Sequence, residues 1–280
     1  MTRIHHSPGP GQSSLEFVAR RHSGEFATEC VEHVAAEVPI EVSFNHRPFA
    51  VMLASPRDLV DFTYGFALTE DVVGAPDDIA TVNIHQSGSN VQINAIIPEA
   101  WARRLSARQR MLAGRSGCGL CGAARIEHVL RPAPRAETNL HIPPKALFRA
   151  VEGLPEHQEQ NRALGSLHAA AFACRDGTIL CVREDVGRHN ALDKLIGAMF
   201  RAGMSPRTGF ILVSSRCSYE MVHKTAIAGC GIVAALSAPT SMAIELAERK
   251  GIGLAAFARE GRFTVYAGQD RFQSNSLGET

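Results

Sequence analysis

From residue 166 to residue 266, short apolar runs alternate with amphipathic stretches, and few folds are compatible with this pattern. The apolar runs predict strands over residues 167–174, 178–182, 210–213, 232–236, 254–257 and 262–266. The amphipathic stretches predict helices over residues 188–200, 218–228 and 240–250. Gly229 and Gly251 end the last two helices. Repeated strand–helix units are typical of an α/β layer with parallel strands, so we predict the α/β class.

The preceding region predicts a smaller α/β subdomain. Its predicted strands are 38–44, 49–53, 79–85 and 91–97, and its predicted helices are 55–70 and 99–112. Ser55 and Pro56 form a typical helix start, with serine as the cap and proline in the first turn. Residues 1–30 show no steady periodicity and predict a tail with at most one short strand. We therefore divide the chain into a tail (1–30), an N-terminal α/β subdomain (31–140) and a C-terminal α/β domain (141–280).

Composition excludes several classes of protein. The 280 residues are 45% hydrophobic and carry 29 basic against 28 acidic side chains, which leaves a formal net charge of +1. Such a chain is too apolar for intrinsic disorder and lacks the basic excess of a nucleic-acid-binding protein. No apolar run reaches the roughly 18 residues of a membrane span, and the polar N-terminus does not resemble a signal peptide. The sequence predicts a cytoplasmic globular protein that binds neither nucleic acid nor membrane.

Two of the seven cysteines form the sharpest motif of the sequence. Cys118 and Cys121 lie three positions apart in the stretch 113–122, which is rich in glycine. Each glycine costs about 1 kcal/mol of ordering relative to alanine, so this stretch predicts a mobile loop. An odd number of cysteines without a secretion signal favours free thiols over a disulfide framework. The other five are interpreted as packing residues or bystanders, and three of them lie in apolar stretches typical of a core: Cys174, Cys181 and Cys230.

Three kinds of chemistry suit two cysteines at this spacing. A structural zinc site needs four ligands, and no second cysteine pair or spaced histidine pair completes this one. A thioredoxin-like exchange site expects a strand-to-helix setting, whereas glycines flank this pair on both sides. A thiol that hands sulfur between two partners suits a mobile loop, and Arg115 and Arg125 are close enough in sequence to favour its thiolate. The sequence favours sulfur transfer and leaves a zinc-bound interaction module as a weaker alternative.

Three polar junctions follow predicted strands of the C-terminal domain. They cover residues 183–190, 214–216 and 237–240. In a parallel sheet such junctions lie along one edge, where helix N-termini bind anions through backbone N–H groups. Residues 257–262 add two arginines near the same layer, so we expect a phosphate-bearing ligand. Asn190, Asp193 and Lys194 share one helix face, which is either solvated or part of this site.

A zinc-dependent deaminase reaction is not expected. Such enzymes show His-x-Glu followed downstream by Pro-Cys-x-x-Cys, with the glutamate as general acid–base. Here Ala170 takes the position of that glutamate after His168, and the only Cys-x-x-Cys motif lies upstream. His168 is interpreted as a core histidine or as support for a neighbouring group.

Together these segments resemble the formate dehydrogenase accessory sulfurtransferases, the FdhD family. Five segments in the same order carry the resemblance: Glu37 to Glu70, the loop of Cys118 and Cys121, Arg183 to Gly197 (REDVGRHNALDKLIG), Ser237 to Ala247 (SAPTSMAIELA) and Phe257 to Tyr266 (FAREGRFTVY). The resemblance covers residues 30–268. It implies an α/β fold with a cytidine-deaminase-like core in the C-terminal part, a smaller N-terminal α/β subdomain, a mobile cysteine loop and a homodimer. The absent deaminase glutamate agrees with a fold whose chemistry has changed.

The resemblance also implies an activity, that of a sulfurtransferase with a cysteine persulfide intermediate. Family members accept persulfide sulfur from a cysteine desulfurase and deliver it to the bis(pterin guanine dinucleotide) cofactor of molybdenum or tungsten that formate dehydrogenase needs. Carried over by position, Cys118 is the expected persulfide residue and Cys121 its relay. The stretch that matches the binding segment for the guanine dinucleotide is Phe257, Ala258, Arg259, Glu260, Gly261 and Arg262. No metal of the protein's own is expected.

Two positions depart from the family pattern. Ser215 stands where the family usually has the glycine of Ser-Gly-Arg, and Ser166 replaces the second glycine before the histidine. A second hypothesis comes from another class, a non-catalytic chaperone that binds and escorts the guanine dinucleotide cofactor. If the two loop cysteines prove dispensable while Arg259 and Arg262 do not, the chaperone hypothesis is favoured.

Overall fold

The computed structural model describes residues 12–87, 90–112 and 132–273 of the chain. These residues form a two-stranded, a four-stranded and a six-stranded sheet with helices packed between and around them. Within these ranges no helix is both long enough and apolar enough to cross a membrane. The mixed architecture confirms the predicted α/β class.

The first described elements are the two strands of a long hairpin. β1 (Ser14–Ser23) and β2 (Phe26–Ala35) pair antiparallel over their whole lengths, and Gly24 in the turn has a φ of 62°. The prediction that residues 1–30 form a tail with at most one short strand is therefore wrong for the described residues. Neither face of the hairpin is buried, so both carry charged side chains. The period-2 signal of a half-buried strand is accordingly weak here.

The four-stranded sheet has the order β4-β3-β6-β5. Its strands agree with the predicted ones: β3 (Val38–Phe44), β4 (Arg47–Ala54), β5 (Thr81–Ser87) and β6 (Asn90–Ile96). One face is buried, as the alternation of Val38, Ile40 and Val42 in β3 requires. Helix α1 (Leu59–Thr69) and helix α2 (Glu99–Leu112) supply side chains to the same core.

Helix α1 begins later than the sequence predicts. Its N-cap is Asp58, with a φ of 54° and no side-chain capping bond, rather than Ser55. Ser55 is buried three positions earlier, where its backbone and hydroxyl contact the C-terminal part of the chain. The Ser-Pro signal was wrong as a helix start because a tertiary contact uses this serine.

The six-stranded sheet has the order β12-β11-β10-β9-β7-β8. Its strands are β7 (His168–Cys174), β8 (Ile179–Asp185), β9 (Gly209–Val213), β10 (Ile232–Ala235), β11 (Gly253–Arg259) and β12 (Arg262–Ala267). β9, β10 and β11 are parallel, whereas β7 runs antiparallel to β8 and β9, and β12 antiparallel to β11. The prediction of parallel strands is thus right for the centre only. Short turns join β7 to β8 and β11 to β12, and a parallel crossover needs a longer connection.

Helices cover both faces of this sheet. They are α3 (Pro144–His157), α5 (Arg188–Arg201), α6 (Tyr219–Ile227) and α7 (Ser241–Lys250). The short helix α4 (Glu159–Leu164) contacts α3 and strand β2 of the hairpin. Helices α5 to α7 share a core with one face, and α3 shares a core with the other. Ala133 already belongs to the first of these cores and Ala136 packs against it, both upstream of the predicted boundary at residue 140. The domain boundaries and the cytidine-deaminase likeness stay predictions.

The two larger sheets are joined through α1 and α5, which pack directly against each other. The helices approach so closely that a Cβ atom added at Gly65 would lie 1.7 Å from the carbonyl oxygen of Asp193. A Cβ atom at Gly197 would lie 1.8 Å from the carbonyl oxygen of Asp61. These two glycines therefore fix the distance between the N-terminal layer and the sheet that carries the polar junctions.

Candidate functional site

The carboxyl ends of β8, β9 and β10 lie along one edge of the six-stranded sheet, because these strands run in the same direction. The polar junctions 183–190, 214–216 and 237–240 follow these strands, so the prediction that they share an edge is confirmed. Two junctions are joined directly, since Cys217 N donates to Ala238 O and Thr240 N donates to Cys217 O, both at 3.0 Å. The N-termini of α5, α6 and α7 meet at this edge, a setting that favours anions.

A histidine–glutamate pair lies at this edge. His189 in the first turn of α5 and Glu220 in the first turn of α6 are 2.8 Å apart between Nε2 and Oε2, and both side chains are about three-quarters buried. The hydroxyl of Ser218 donates to the same carboxylate oxygen at 3.1 Å. Burial raises the pKa of Glu220, but the bonds from His189 and Ser218 and the charge of Arg188 outweigh burial and leave that pKa below its usual value. The glutamate is therefore ionised at neutral pH.

His168, at the first position of β7, belongs to the same cluster. Burial lowers the pKa of its imidazole, the nearby charges of Arg188 and His189 lower it further, and only Asp185 acts in the opposite direction. The ring is therefore neutral at pH 7. The structure resolves the two interpretations of His168, because the side chain is half-buried among charged groups of the edge rather than in the apolar core.

Arginines give this edge its positive charge. The Nε atom of Arg188 is buried and has no hydrogen-bond partner within the described ranges. Arg216 is exposed in the junction after β9. Arg183, by contrast, turns towards α1, where its guanidinium lies 2.8 Å from the carboxylate of Asp61. Arg188 and Arg216 are therefore the junction residues suited to an anionic ligand.

The segment predicted to bind the cofactor forms the turn between β11 and β12. Phe257 has a φ of 50°, a left-handed conformation that is rare for an aromatic residue, and its ring is 45% exposed. Its N–H donates to Ser237 O at 3.1 Å. The guanidinium of Arg259 donates to the carbonyl oxygens of Leu236 and Ala258. These bonds join the turn to the junction after β10, so the segment lies at the predicted edge.

A cleft of about 320 Å³ opens beside this turn. Its lining residues are Phe257, Arg259, Arg262, Phe263 and Thr264. Arg262 is the register partner of Arg259 across the two strands, so two guanidinium groups border one cleft. Of the remaining predicted residues, Ala258 is buried, and Glu260 and Gly261 are exposed at the tip. The cleft joins an exposed aromatic ring to two cations, which suits a planar, phosphorylated ligand.

Asp185 organises the junction between β8 and α5. Its Oδ1 atom accepts hydrogen bonds from Gly187 N at 2.7 Å and from Asn190 Nδ2 at 3.0 Å. Its Oδ2 atom accepts from Ser55 N at 3.0 Å and lies 2.6 Å from Lys194 Nζ. The polar face of α5 is thus buried against the connection between β4 and α1, and the solvated-face alternative is wrong.

A second buried network, which was not predicted from the sequence, joins α1, α5 and α6. Lys224 Nζ lies 2.8 and 2.9 Å from the two carboxylate oxygens of Asp193 and 2.8 Å from Thr69 Oγ1. Thr69 in turn donates to Asp193 at 2.7 Å. Burial raises the pKa of Asp193, and Lys224 only partly offsets that effect. Lys224 looks like a surface residue in the sequence because its partners lie on helices far away along the chain.

Cys118 and Cys121 lie outside the described residues, so the mobile loop and its thiol chemistry stay predictions. The first described residue after this gap is Pro132, whose carbonyl oxygen is 3.3 Å from His223 Nε2 of α6. Among the residues that the structure describes, no three His, Cys, Asp or Glu side chains are grouped to hold a metal ion. The expectation that the protein holds no metal of its own is untested.

The remaining cysteines differ in burial. Cys217 and Cys230 are fully buried, and burial raises the pKa of their thiols to about 12 and about 11. Such thiols stay protonated and unreactive at neutral pH. The interpretation as core residues is confirmed for Cys230. Cys181 is half-buried and packs against the same core. Cys174 is half-buried with its thiol donating to Asp176 Oδ1, so the interpretation is wrong for this residue.

Comparison with known proteins finds relatives along nearly the whole chain. Residues 35–273 match the FdhD/NarQ family. The sulfur carrier protein FdhD of Xanthomonas campestris pv. campestris is 46% identical over 260 residues, which cover 92% of this chain and 92% of that protein. The sulfur carrier protein FdhD of Bordetella petrii is 40% identical over 276 residues, covering 98% and 99% of the two chains.

The fold is similar to that of a solved structure. It is a crystal structure from Desulfotalea psychrophila, described as that of a candidate formate dehydrogenase accessory protein. The TM-score is 0.73 and the sequence identity 22%, over 92% of this chain and 99% of the other. The match to the family over residues 35–273 and the identity of 40–46% to its members lead to one conclusion: this chain belongs to the FdhD/NarQ family.

Proposed function

We propose that this protein is a cytoplasmic sulfur carrier that serves formate dehydrogenase. It accepts persulfide sulfur from a cysteine desulfurase and delivers it to the bis(pterin guanine dinucleotide) molybdenum cofactor, which is its cargo. The observation that carries the proposal is the 46% identity, over 92% of both chains, to a protein named sulfur carrier protein FdhD. A homodimeric state belongs to the same proposal.

The proposed chemistry is thiol–persulfide exchange at the loop cysteines. The thiolate of Cys118 attacks the outer sulfur of the donor persulfide, and the donor sulfur–sulfur bond breaks. The donor cysteine leaves as a thiolate, and Cys118 now carries the extra sulfur as a persulfide. Attack by the thiolate of Cys121 on that outer sulfur would move it in the same way, without net oxidation or reduction. The pair thus passes sulfur onward.

The described residues support the proposed cargo. Two arginines, Arg259 and Arg262, border the cleft beside the β11–β12 turn, and phosphate groups bind guanidinium groups strongly. The exposed ring of Phe257 offers a surface on which a guanine or pterin ring can stack. Arg188 and the helix N-termini extend the positive charge along the sheet edge. A pterin guanine dinucleotide has both phosphates and planar rings.

The same cleft favours a second candidate function, a chaperone that binds and escorts the dinucleotide cofactor without handling sulfur. This function needs Phe257, Arg259 and Arg262 but not the loop cysteines. Activation of formate dehydrogenase by Cys118→Ala and Cys121→Ala variants distinguishes the two functions. Retained activation in both variants, together with lost activation in Arg259→Ala, would favour the chaperone.

Mass spectrometry after incubation with a cysteine desulfurase and cysteine tests the sulfur-carrier proposal directly. We expect an adduct of about 32 Da, one sulfur atom, on the peptide that contains Cys118 and Cys121, removable by a reducing thiol. Cys118→Ala should lose the adduct or shift it to Cys121. Cys30→Ala, a half-buried cysteine on the hairpin, is the matched control and should keep the adduct. Equal labelling of Cys118→Ala/Cys121→Ala and the unaltered protein would refute the proposal.

A further inference from the structure

The hairpin of β1 and β2 is exposed in a way that a stable element seldom is. It forms a sheet of only two strands, and no other described strand pairs with the outer edge of β1. Large apolar side chains are exposed on it, with Val18 47%, Val31 57% and Phe26 83% accessible. An isolated two-stranded hairpin is marginally stable in water, and an unpaired edge is a template for another strand. The outer edge of β1 is therefore suited to pairing with another strand.

The hydrogen-bond phase of the hairpin shows which residues of β1 face outward. Ala36 N donates to Ser13 O at 2.8 Å, so these two residues form a hydrogen-bonded pair of the antiparallel ladder. Pairing continues from there without a register shift, and hydrogen-bonded pairs alternate with non-bonded ones. Glu16, Val18 and Arg20 therefore belong to non-bonded pairs. Their backbone N–H and C=O groups point away from β2, towards the open edge.

We propose that the outer edge of β1 is the interface with a second copy of this chain. The two β1 strands pair antiparallel across a twofold axis at Val18 and make a four-stranded sheet in the order β2-β1-β1-β2. Val18 then forms a hydrogen-bonded pair with the partner's Val18, and Glu16 with the partner's Arg20. A twofold interface requires a self-complementary surface, and the segment from Glu16 to Arg20 has that pattern.

Charge complementarity across all four strands supports this register. Within the hairpin Glu16 pairs with His33, Val18 with Val31 and Arg20 with Glu29. The twofold therefore aligns four side chains in one row: His33, Glu16, the partner's Arg20 and the partner's Glu29. In this row the arginine lies between two glutamates. The central row consists of valines alone. A shift of two residues in either direction would place Val18 opposite a charged side chain. The valine–valine contact and the pairing of Glu16 with the partner's Arg20 would then both be lost.

This inference deepens the homodimeric state that the proposed function includes and rests on that part alone, because it concerns the surface of assembly and not sulfur. Light scattering coupled to size-exclusion chromatography, at tens of micromolar protein, reads the mass without any sulfur chemistry. We expect the unaltered full chain to elute at twice the chain mass of 30.2 kDa. A monomer at that concentration would overturn the proposal.

Proline substitutions test the edge itself. Val18→Pro removes an outward N–H and leaves the β1–β2 ladder intact, as proline is tolerated on edges. It should give the monomer mass. Ala27→Pro removes the equivalent outward N–H on β2 and is the matched control, because Ala27 pairs with His22 in a non-bonded position. It should stay dimeric. A dimeric Val18→Pro or a monomeric Ala27→Pro would each overturn the assignment of the interface to β1.

Charge reversal tests the register. Glu16→Arg and Arg20→Glu each place two pairs of like charges across the twofold axis. We therefore expect either variant to raise the dissociation constant of the dimer roughly tenfold. The double variant Glu16→Arg/Arg20→Glu restores opposite charges and should return to within about twofold of the unaltered affinity. Unchanged dissociation in the single variants, or additive weakening in the double variant, would overturn the proposed register.

Discussion

Lys194 Nζ lies 2.6 Å from Asp185 Oδ2, and neither side chain is accessible to solvent. The pair joins two distant parts of the chain, because Asp185 also accepts a hydrogen bond from Ser55 N, and Lys194 donates to Ser55 O at 3.0 Å. Asp185 further fixes the turn that precedes Arg188 and His189. A buried ion pair thus holds the N-terminal layer to the sheet edge that carries the candidate site.

Breaking this pair should destabilise the protein strongly. Asp185→Asn leaves the ammonium of Lys194 buried without a counter-charge, so we expect the free energy of unfolding to fall by about 3–5 kcal/mol. The double variant Asp185→Asn/Lys194→Met removes the unpaired charge and should recover part of that loss. Urea unfolding measures both. Arg207→Gln breaks an exposed pair with Glu137 and serves as the control, with a loss below about 1 kcal/mol. A loss of similar size in Asp185→Asn would contradict the prediction.

Local patterns predicted most elements of the two larger sheets. The bounds of β3, α5 and α7 agree with the sequence to within one residue, because apolar periodicity and glycine stops depend on neighbouring residues. The shared edge of the polar junctions also followed from the prediction that the strands they follow are parallel. The segment from Phe257 to Arg262 could be included in the candidate site because it matches the stretch that binds the guanine dinucleotide in the family that the sequence resembles.

The rest depends on residues far apart in the sequence. Ser55 has the local signature of a helix cap, yet its partner Asp185 lies 130 positions away. Lys224 contacts Thr69 across 155 positions. The β1–β2 hairpin has no buried face, so it lacks the alternation by which a strand is recognised. Apolar periodicity indicates which face of a helix or strand is buried. It does not identify a polar side chain that becomes buried through contact with a residue far away in the sequence.

Alanine substitution at the two glycines between α1 and α5 should separate the helices. The added methyl group at Gly65 or Gly197 would lie within 2 Å of a carbonyl oxygen, and backbone cannot rotate away as a side chain can. We expect each variant to lose about 2–3 kcal/mol of unfolding free energy in urea.

Gly153→Ala is the matched control for this experiment. Gly153 lies within α3, and the nearest atom to an added Cβ is Ile179 Cδ1 at 3.9 Å. Alanine is the better helix former, so this variant should gain about 0.5–1 kcal/mol. Equal stability of Gly65→Ala and Gly153→Ala would contradict the close approach of the helices.

The pKa of His168 should respond to Arg188. Burial first, and the Arg188 charge second, hold that pKa below 6.5. Arg188→Gln removes the charge and leaves the burial, so the pKa should rise while staying below the usual value. Titration of the imidazole resonances by NMR measures it, and His168→Gln assigns the resonance. An unchanged or lower pKa in Arg188→Gln would show that the guanidinium does not act on this ring.

The same shift predicts the direction of pH dependence. The folded state binds the His168 proton less readily than the unfolded state, so this residue contributes stability above pH 6.5. That contribution is lost as the pH falls through the lower pKa of the folded protein. Between about pH 7 and about pH 5, the unaltered protein should therefore lose more unfolding free energy than His168→Gln. A steeper loss in the variant would contradict the sign.

Phe257 should show the signature of a residue strained for binding. Its left-handed backbone conformation costs about 1 kcal/mol, and glycine adopts that conformation without this cost. Relief of the strain should offset the loss of the half-exposed ring, so Phe257→Gly should lose little stability. Affinity for guanosine diphosphate, a fragment of the proposed cargo, should fall about tenfold or more, because a stacked base contributes roughly 1–3 kcal/mol. Phe257→Leu keeps the strain and loses the aromatic face, so it should weaken binding without any gain in stability. Calorimetric titration and urea unfolding measure the two quantities, and unaltered affinity in both variants would exclude stacking on this ring.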